Sequence, residues 1–332
     1  MAGVFPILFI TSTRIGDAVL SSGLLKRLHD EIPHAQFTIA TGAPAAPLFR
    51  DMPRLDEVIV MEKQKGGGHW FKLWRQARSR QWGFVLDLRG SGLARVLSAK
   101  KRAIYRRPSD DAPIVHKVIE AARLLKLEDE PPAPYLFTSP ETEAAAAALL
   151  GAGPGPILAI GPGANWIGKT WPAERFNETA ARLLGPEGPM AGGRLLILGS
   201  EADRDVAHAA RMAVPRERLI DLSGKADLLT GYACLKRARL FVGNDSGLMH
   251  LAAAAGAPTV GLFGPSDERR YGPWGPHVRA VRGPRELADF LIADPGLNQA
   301  QNHMMDLPVE SVVTAAASLF ADTEPDFAED AA

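Results

Sequence analysis

At 332 residues the chain is longer than a single hydrophobic core usually grows, so two domains are expected. Hydrophobic residues at 46% and charged residues at 23% are ordinary globular proportions, which excludes a disordered chain or a long coiled coil. The 38 Lys and Arg cancel the 38 Asp and Glu, which argues against a nucleic-acid binder, and the lone Cys234 excludes an internal disulfide framework or a cysteine zinc site.

The chain opens MAGVFPILFITSTRIGDAV, without the basic start of a secretory signal, and runs directly into a strand pattern. Strands are expected at 7–11 (ILFIT), 37–40 (FTIA), 57–61 (EVIVM), 84–88 (FVLDL) and 102–106 (RAIYR). Between them AVLSSGLLKRLHDEI and, more weakly, FKLWRQARSR carry the three- and four-residue spacing of helices packed on a sheet. Residues 128–156 are rich in Pro, Gly and Ala, and a linker is placed near 135–155. The alternation restarts at 156–161 (PILAIG), 194–199 (RLLILG), 218–222 (RLIDL), 239–243 (RLFVG) and 258–264 (PTVGLFG). The longest apolar stretch, 251–263, contains Gly256, Pro258 and Gly261 and is no membrane span. From Asp322 the tail is acidic and Ala-rich, and fraying is expected there. Strands apolar on both faces and separated by helices imply parallel sheets covered on both sides. The expectation is an α/β protein with domains 1–150 and 151–322, their sheets facing across a cleft, in a soluble, cytoplasmic setting.

Several turns carry candidate chemistry. In TSTRIGDAVLSSG (11–23), Asp17 stands where a helix starts after a strand. It is either a helix cap or a carboxylate able to take a proton from a substrate hydroxyl. Between 62 and 107 lie Lys63, Lys65, Lys72, Arg75, Arg78, Arg80, Arg89, Arg95, Lys100, Lys101, Arg102, Arg106 and Arg107, against only Glu62 and Asp87. Such a local basic field in a neutral chain suits an anionic partner. GAGPGP (151–156) precedes its strand, so it is not a dinucleotide fingerprint.

GANWIGKT (163–170) literally fits the phosphate-binding P-loop pattern, which would make the chain an ATPase or kinase with Lys169 on phosphate and Thr170 on magnesium. Bulky Trp166 and Ile167 inside the turn, and Pro172 just beyond it, weaken that reading, while Lys169 remains a good phosphate contact. Asp203-Arg204-Asp205 has a manganese-binding form but falls in a helical pattern, where a solvated face is expected. In GNDSGLMHLAAAAG (243–256) a strand ends in a polar turn and a small-residue helix begins. Asp245 or Ser246 is placed to cap it, and the N–H groups of Ser246, Gly247, Leu248 and Met249 form an anion site suited to a diphosphate. His250, inside the first turns, reads as a packed histidine rather than a base.

The segments ILFITSTRIGDAVL, LDLRGSGLARVLSA, GPGANWIGKTWPAERF, LILGSEADR, LSGKADL and FVGNDSGLMHLAAAAGAPTVGLFGPSD together resemble glycosyltransferase family 9, the heptosyltransferases of lipopolysaccharide core assembly. The resemblance spans roughly residues 7–320. It implies a GT-B fold, two Rossmann-like domains with the acceptor in the first and an ADP-sugar in the second. Asp17 then matches the general base and Lys169 a donor-phosphate contact, while Glu201 matches the carboxylate holding the donor ribose. Asp245, Ser246, Gly247, Leu248 and His250 match the turn around the diphosphate and sugar. Asn165 and Ser246 stand where many members carry threonine, and both keep a polar side chain. The implied reaction is inverting transfer to an anionic lipopolysaccharide-core acceptor by a peripheral enzyme at the inner membrane leaflet, without a cofactor or obligatory divalent metal. The alternatives are the P-loop ATPase or kinase, and another nucleotide-sugar enzyme on the same fold.

Overall fold

All ten expected strands form. The computed structural model describes residues 3–62, 67–109, 111–297 and 300–323. Lys63 and Lys65 of the basic field, and the tail after Thr323, lie outside them. The first sheet is parallel, with β1 Phe5–Ile10, β2 Ala35–Thr41, β3 Leu55–Val60, β4 Trp82–Asp87 and β5 Ala99–Ile104 in the order β3-β2-β1-β4-β5. The second is also parallel, with β6 Ile157–Gly161, β7 Arg194–Ile197, β8 Leu219–Asp221, β9 Leu240–Asn244, β10 Thr259–Phe263 and β11 Val278–Arg282. Its order, β11-β10-β9-β6-β7-β8, is the full doubly wound Rossmann order. The first sheet has the same order without the sixth strand. Each unit thus has the α/β, Rossmann-like fold that the sequence implies.

β11 escapes a sequence reading because its residues, VRAVR, alternate apolar and basic instead of forming a continuous apolar run. It lies at a sheet edge, where one face meets water and arginines are tolerated. β5 is the corresponding edge in the first sheet, and its Lys100, Lys101 and Arg102 are exposed. The single helix expected from AVLSSGLLKRLHDEI is in fact two, Ile15–Leu20 and Ser22–Glu31. Ser21 Oγ donates to the Ala18 carbonyl at 3.0 Å and Ser22 Oγ to the Val19 carbonyl at 2.7 Å, and such local bonds compete with the helical ladder.

The chain divides into compact units after Ser139, earlier than the 150/151 boundary and inside the expected linker. The Ala-rich run is a helix, Pro140–Leu150, that belongs to the second unit. Alanine is the strongest helix former, and composition alone made the segment look like a break. Glu143 ties this helix to Lys236 and Arg237, each at 2.8 Å, beside the helix Leu228–Leu235. Cys234 in that helix is fully buried, and burial pushes its thiol up to about 11, which leaves it protonated and inert. Each sheet carries its own core. Leu8, Ile10, Leu73, Trp82 and Val85 pack in the first unit, and Ile160, Trp171, Phe176, Leu183, Val242 and Leu262 in the second.

Candidate active site

In each sheet the crossover direction reverses beside the first strand, between β1 and β4 and between β6 and β9. Ligands of open α/β sheets bind at such switch points, outside the carboxyl ends of the strands. In the second unit this sets the loop 162–172, after β6, beside the turn 245–246, after β9. Gly161 and Gly243 are paired in register at the ends of the two strands.

One buried side chain joins these loops. Asn244, fully buried, donates from Nδ2 to the Pro162 carbonyl at 2.7 Å and accepts from the Trp171 amide at 3.1 Å. It pins both ends of the loop carrying Lys169. Lys169 closes the short turn Ile167–Lys169, and its Nζ lies 2.5 Å from Asp245 Oδ2. The same carboxylate oxygen accepts from Ser266 Oγ at 2.6 Å. Asp245 is only 6% exposed, so the pair sits in a medium where charge interactions are stronger than in water. Asn244→Ala should strand the Pro162 carbonyl and the Trp171 amide, each of which then lacks its buried partner. A loss of about 2 kcal/mol is expected, since an unsatisfied buried group typically costs about 1–3 kcal/mol. Urea unfolding checks this; an unchanged midpoint would refute the pinning role.

These contacts correct the ATPase or kinase alternative. In a P-loop the lysine opens the helix, but here the helix is Ala173–Leu184, with Pro172 at its N-cap and Lys169 committed to Asp245. The Trp166 indole also fills the turn, because a Cβ on Gly168 would fall 1.9 Å from its ring. Arg204 and Asp205 are exposed at the start of the helix Arg204–Ala210, as expected, while Asp203 stands in the turn before it. It caps the turn Glu201–Asp203, accepting from the Ser200 amide and hydroxyl at 2.7 Å each.

The helix Gly247–Ala254 starts directly after the Asp245 turn. Neither Asp245 nor Ser246 caps it as expected. Asp245 is held by Lys169 and Ser266, and Ser246, at the N-cap position, makes no side-chain cap bond. The Ser246 hydroxyl is buried without a partner. The first amides of a helix have no partner within it and carry the positive end of its dipole. Together with Lys169 they make an electropositive turn of the kind that suits an anion. Gly247 and Leu248 are half-buried on this first turn, while His250 is buried one turn in, its amide 3.4 Å from the Ser246 carbonyl. Asn165 is exposed on the loop. Glu201 follows β7, is exposed, and pairs with Arg204 at 2.7 Å. A Cβ on Gly224, a residue at φ 67°, would come within 2.7 Å of its carboxylate. Among the described residues no ion pair or hydrogen bond joins Asn165 or Glu201 to the Lys169–Asp245 pair.

Ser266 was not found in the sequence. Its signal was the polar step GPSD directly after β10, another strand end at the same edge. Arg282, at the end of β11, orders that step by donating to the carbonyls of Gly264 and Ser266 and to Glu268. Partial burial pushes the Glu268 carboxyl up, but the Arg282 hydrogen bonds outweigh it and leave the group below its ordinary value. Residues 302–307, which carry no periodic signal, brace the Lys169 loop from outside. Asn302 Nδ2 donates to the Thr170 carbonyl at 2.9 Å, and Trp171 Nε1 to the Leu307 carbonyl at 3.0 Å. Arg285, bonded to Asp306 at 2.5 Å, holds this segment and keeps the Asp306 carboxyl below the usual range.

In the first unit, Asp17 lies in the first turn of the helix Ile15–Leu20, directly after the β1 loop. The cap position belongs to Arg14, with no side-chain cap bond, so the cap reading of Asp17 is not what the structure has. Asp17 is half-buried and its Oδ2 accepts from Ser12 Oγ at 3.4 Å. The neighbouring loop after β4 is folded tightly around Asp87, which accepts from the amides of Arg89 and Ser91 at 2.9 and 3.0 Å and from the Ser91 hydroxyl at 2.8 Å.

The sequence model of glycosyltransferase family 9 (heptosyltransferase) matches residues 70–295, more than half of the chain, including the turns that carry Lys169, Asp245 and Ser266. The chain belongs to glycosyltransferase family 9. This family 9 glycosyltransferase is 26% identical over 312 residues to lipooligosaccharide heptosyltransferase 2 of Haemophilus influenzae, covering 83% of this chain and 88% of that protein. A shorter match, 35% identical over 133 residues, is to lipopolysaccharide heptosyltransferase 1 of Pseudomonas aeruginosa, covering 38% and 34% of the two. Its fold is that of the E. coli ADP-heptose lipopolysaccharide heptosyltransferase II, with TM-score 0.74 at 21% identity over 96% of this chain and 100% of that one. A family 9 glycosyltransferase from Veillonella parvula aligns with TM-score 0.76 at 21% identity, covering 97% and 99%.

Proposed function

We propose that this glycosyltransferase moves heptose, or a closely related sugar, from an ADP-sugar to an anionic lipopolysaccharide-core acceptor with inversion at the anomeric carbon. The observation that carries the reading is the Lys169–Asp245–Ser266 cluster beside the uncapped start of the helix Gly247–Ala254. Lys169 and the first amides of that helix hold the donor diphosphate, Asp245, Ser246 and His250 its sugar end, and Glu201 the ribose, with Asn165 near the phosphates. Asp17 takes the acceptor hydroxyl proton as the oxygen bonds to the anomeric carbon. The bond from that carbon to the diphosphate oxygen breaks, and ADP leaves. Charge growing on the leaving diphosphate meets Lys169 and the helix dipole, electrostatic stabilisation that needs no obligatory divalent metal. Transfer assays with ADP-, UDP- and GDP-sugars and a heptose-deficient core acceptor test this reading. Turnover with ADP-heptose supports it, and turnover confined to another nucleotide sugar refutes the donor assignment.

The acceptor end supports a peripheral contact with the cytoplasmic leaflet. Among the described residues no helix is long and apolar enough to cross a membrane. The helix Gly68–Ala77 and the residue after it instead expose Lys72, Arg75 and Arg78 alongside Phe71, which is 63% exposed. Arg80 is committed to Asp56 at 2.5 Å and Gln36 at 2.7 Å, and Arg102 to the carbonyls of Ala94 and Leu97. Arg80 and Arg102 are therefore held within the fold, while this helix offers an exposed basic face with an apolar side chain beside it. Binding to vesicles containing phosphatidylglycerol should fall as salt rises, because screening sets in beyond about 10 Å at 0.1 M ionic strength. The triple change Lys72→Glu, Arg75→Glu and Arg78→Glu should weaken it at least tenfold, since each basic residue near an anionic surface contributes about 1 kcal/mol. Salt-independent sedimentation with vesicles would refute the contact.

A further inference from the structure

The second unit holds a cavity of about 500 Å³ at the edge of its sheet opposite to the Lys169 turn. Ile157 opens β6, Arg194 opens β7 and Arg239 immediately precedes β9, so the lining gathers at the amino ends of the strands. The donor chemistry lies at their carboxyl ends. The apolar wall is Leu150, Pro156 and Ile157, and the polar wall is the guanidinium groups of Arg194, Arg237 and Arg239. The volume is that of a small-molecule pocket, and an apolar wall with a few fixed polar groups is the usual lining of one.

Arg194 is anchored by neutral groups. Arg194 Nη1 donates to the carbonyls of Leu150 and Gly151 at 2.9 and 3.2 Å, closing the end of the helix Pro140–Leu150. Arg237 Nη1 donates to the Ala233 carbonyl at 2.7 Å, and Arg239 lies over the Phe320 ring at 4.2 Å. Carbonyl partners orient a guanidinium without cancelling its charge. Glu143 sits 2.8 Å from Arg237 but is shared with Lys236, and among the described residues Arg194 pairs with no carboxylate. Arg194 Nε is buried and has no hydrogen-bond partner. A guanidinium whose charge no carboxylate compensates, on the wall of an open cavity, matches an oxyanion.

We propose that this cavity binds a small organic phosphate, with the phosphate on Arg194 and Arg237 and the organic body on Leu150, Pro156 and Ile157. It is a second ligand site, separate from the donor turn and independent of which sugar the enzyme transfers. The probes are phenyl phosphate, inorganic phosphate and phenol, titrated calorimetrically into the full chain. Phenyl phosphate should bind saturably, inorganic phosphate more weakly for want of the apolar wall, and phenol not at all. Ala147→Glu sets a carboxylate on an exposed, cavity-lining position of a helix and leaves every arginine anchor in place. It should weaken phenyl phosphate at least tenfold, whereas the neutral Ala147→Gln and the distant Lys169→Met should not. Melting curves confirm that both Ala147 variants are folded. No saturable binding to the wild type, equal affinity in Ala147→Glu, or loss of binding in Lys169→Met would overturn the site. Inorganic phosphate binding as tightly as phenyl phosphate would overturn the organic class of ligand.

Discussion

Asp17→Asn is expected to give a folded, donor-binding protein whose transfer rate has fallen about 10²–10⁴-fold, the usual loss when a general base is removed. The amide keeps the shape of the side chain and an oxygen able to accept from Ser12 Oγ, but it has no lone pair basic enough to take the hydroxyl proton. Because Arg14 occupies the cap position, the substitution removes no cap, and the melting temperature should stay near the wild-type value. Donor affinity should also hold, since the role proposed for Asp17 is on the acceptor hydroxyl and not on the diphosphate. The measurement is the rate of transfer from ADP-heptose, with a donor titration on the same preparation. Full activity in Asp17→Asn would remove the residue from the chemistry.

Lys169→Met is expected to slow transfer by about 10²–10³-fold, the range seen when one preorganised group facing developing charge is lost. It should also lower stability, because Asp245 then stays buried with Ser266 as its hydrogen-bond donor and no cation beside it. The double variant Lys169→Met, Asp245→Asn separates the two effects. It should recover much of the melting temperature while remaining slow, since the buried charge is gone and the phosphate contact is still missing. A single variant that keeps the wild-type rate would exclude Lys169 from the leaving-group site. ATP turnover by the wild type without an acceptor would contradict the correction of the P-loop reading.

Most of the scaffold was legible in the chain. The central strands, such as β1, β6, β9 and β10, are continuous apolar runs because they are buried on both faces, and burial of that kind leaves a composition signal that needs no knowledge of neighbours. β11 was missed because an edge strand needs only one apolar face. The helix 140–150 was mistaken for linker because an alanine run looks low in complexity, and only its packing beside Lys236 and Arg237 makes it part of a domain. The turns bearing Asp17, Lys169 and Asp245 were also legible, since each is a polar break directly after an apolar strand.

What the sequence by itself determined was the alternation of strand and helix, and hence the positions at which polar turns interrupt it. Partners far apart in the chain were decided only by tertiary structure. Lys169 meets Asp245 because β6 lies beside β9, and Ser266 reaches the same carboxylate because β10 lies beside β9. The P-loop pattern at 163–170 is the clearest instance: eight residues fit the motif, yet the lysine's function depends on the carboxylate across the sheet. Side-chain chemistry is local, but the field acting on a charged group is set by whatever folding brings within a few ångströms. Strand order, which no short motif encodes, therefore decides that this lysine meets Asp245 instead of opening a helix as in a nucleotide triphosphatase loop.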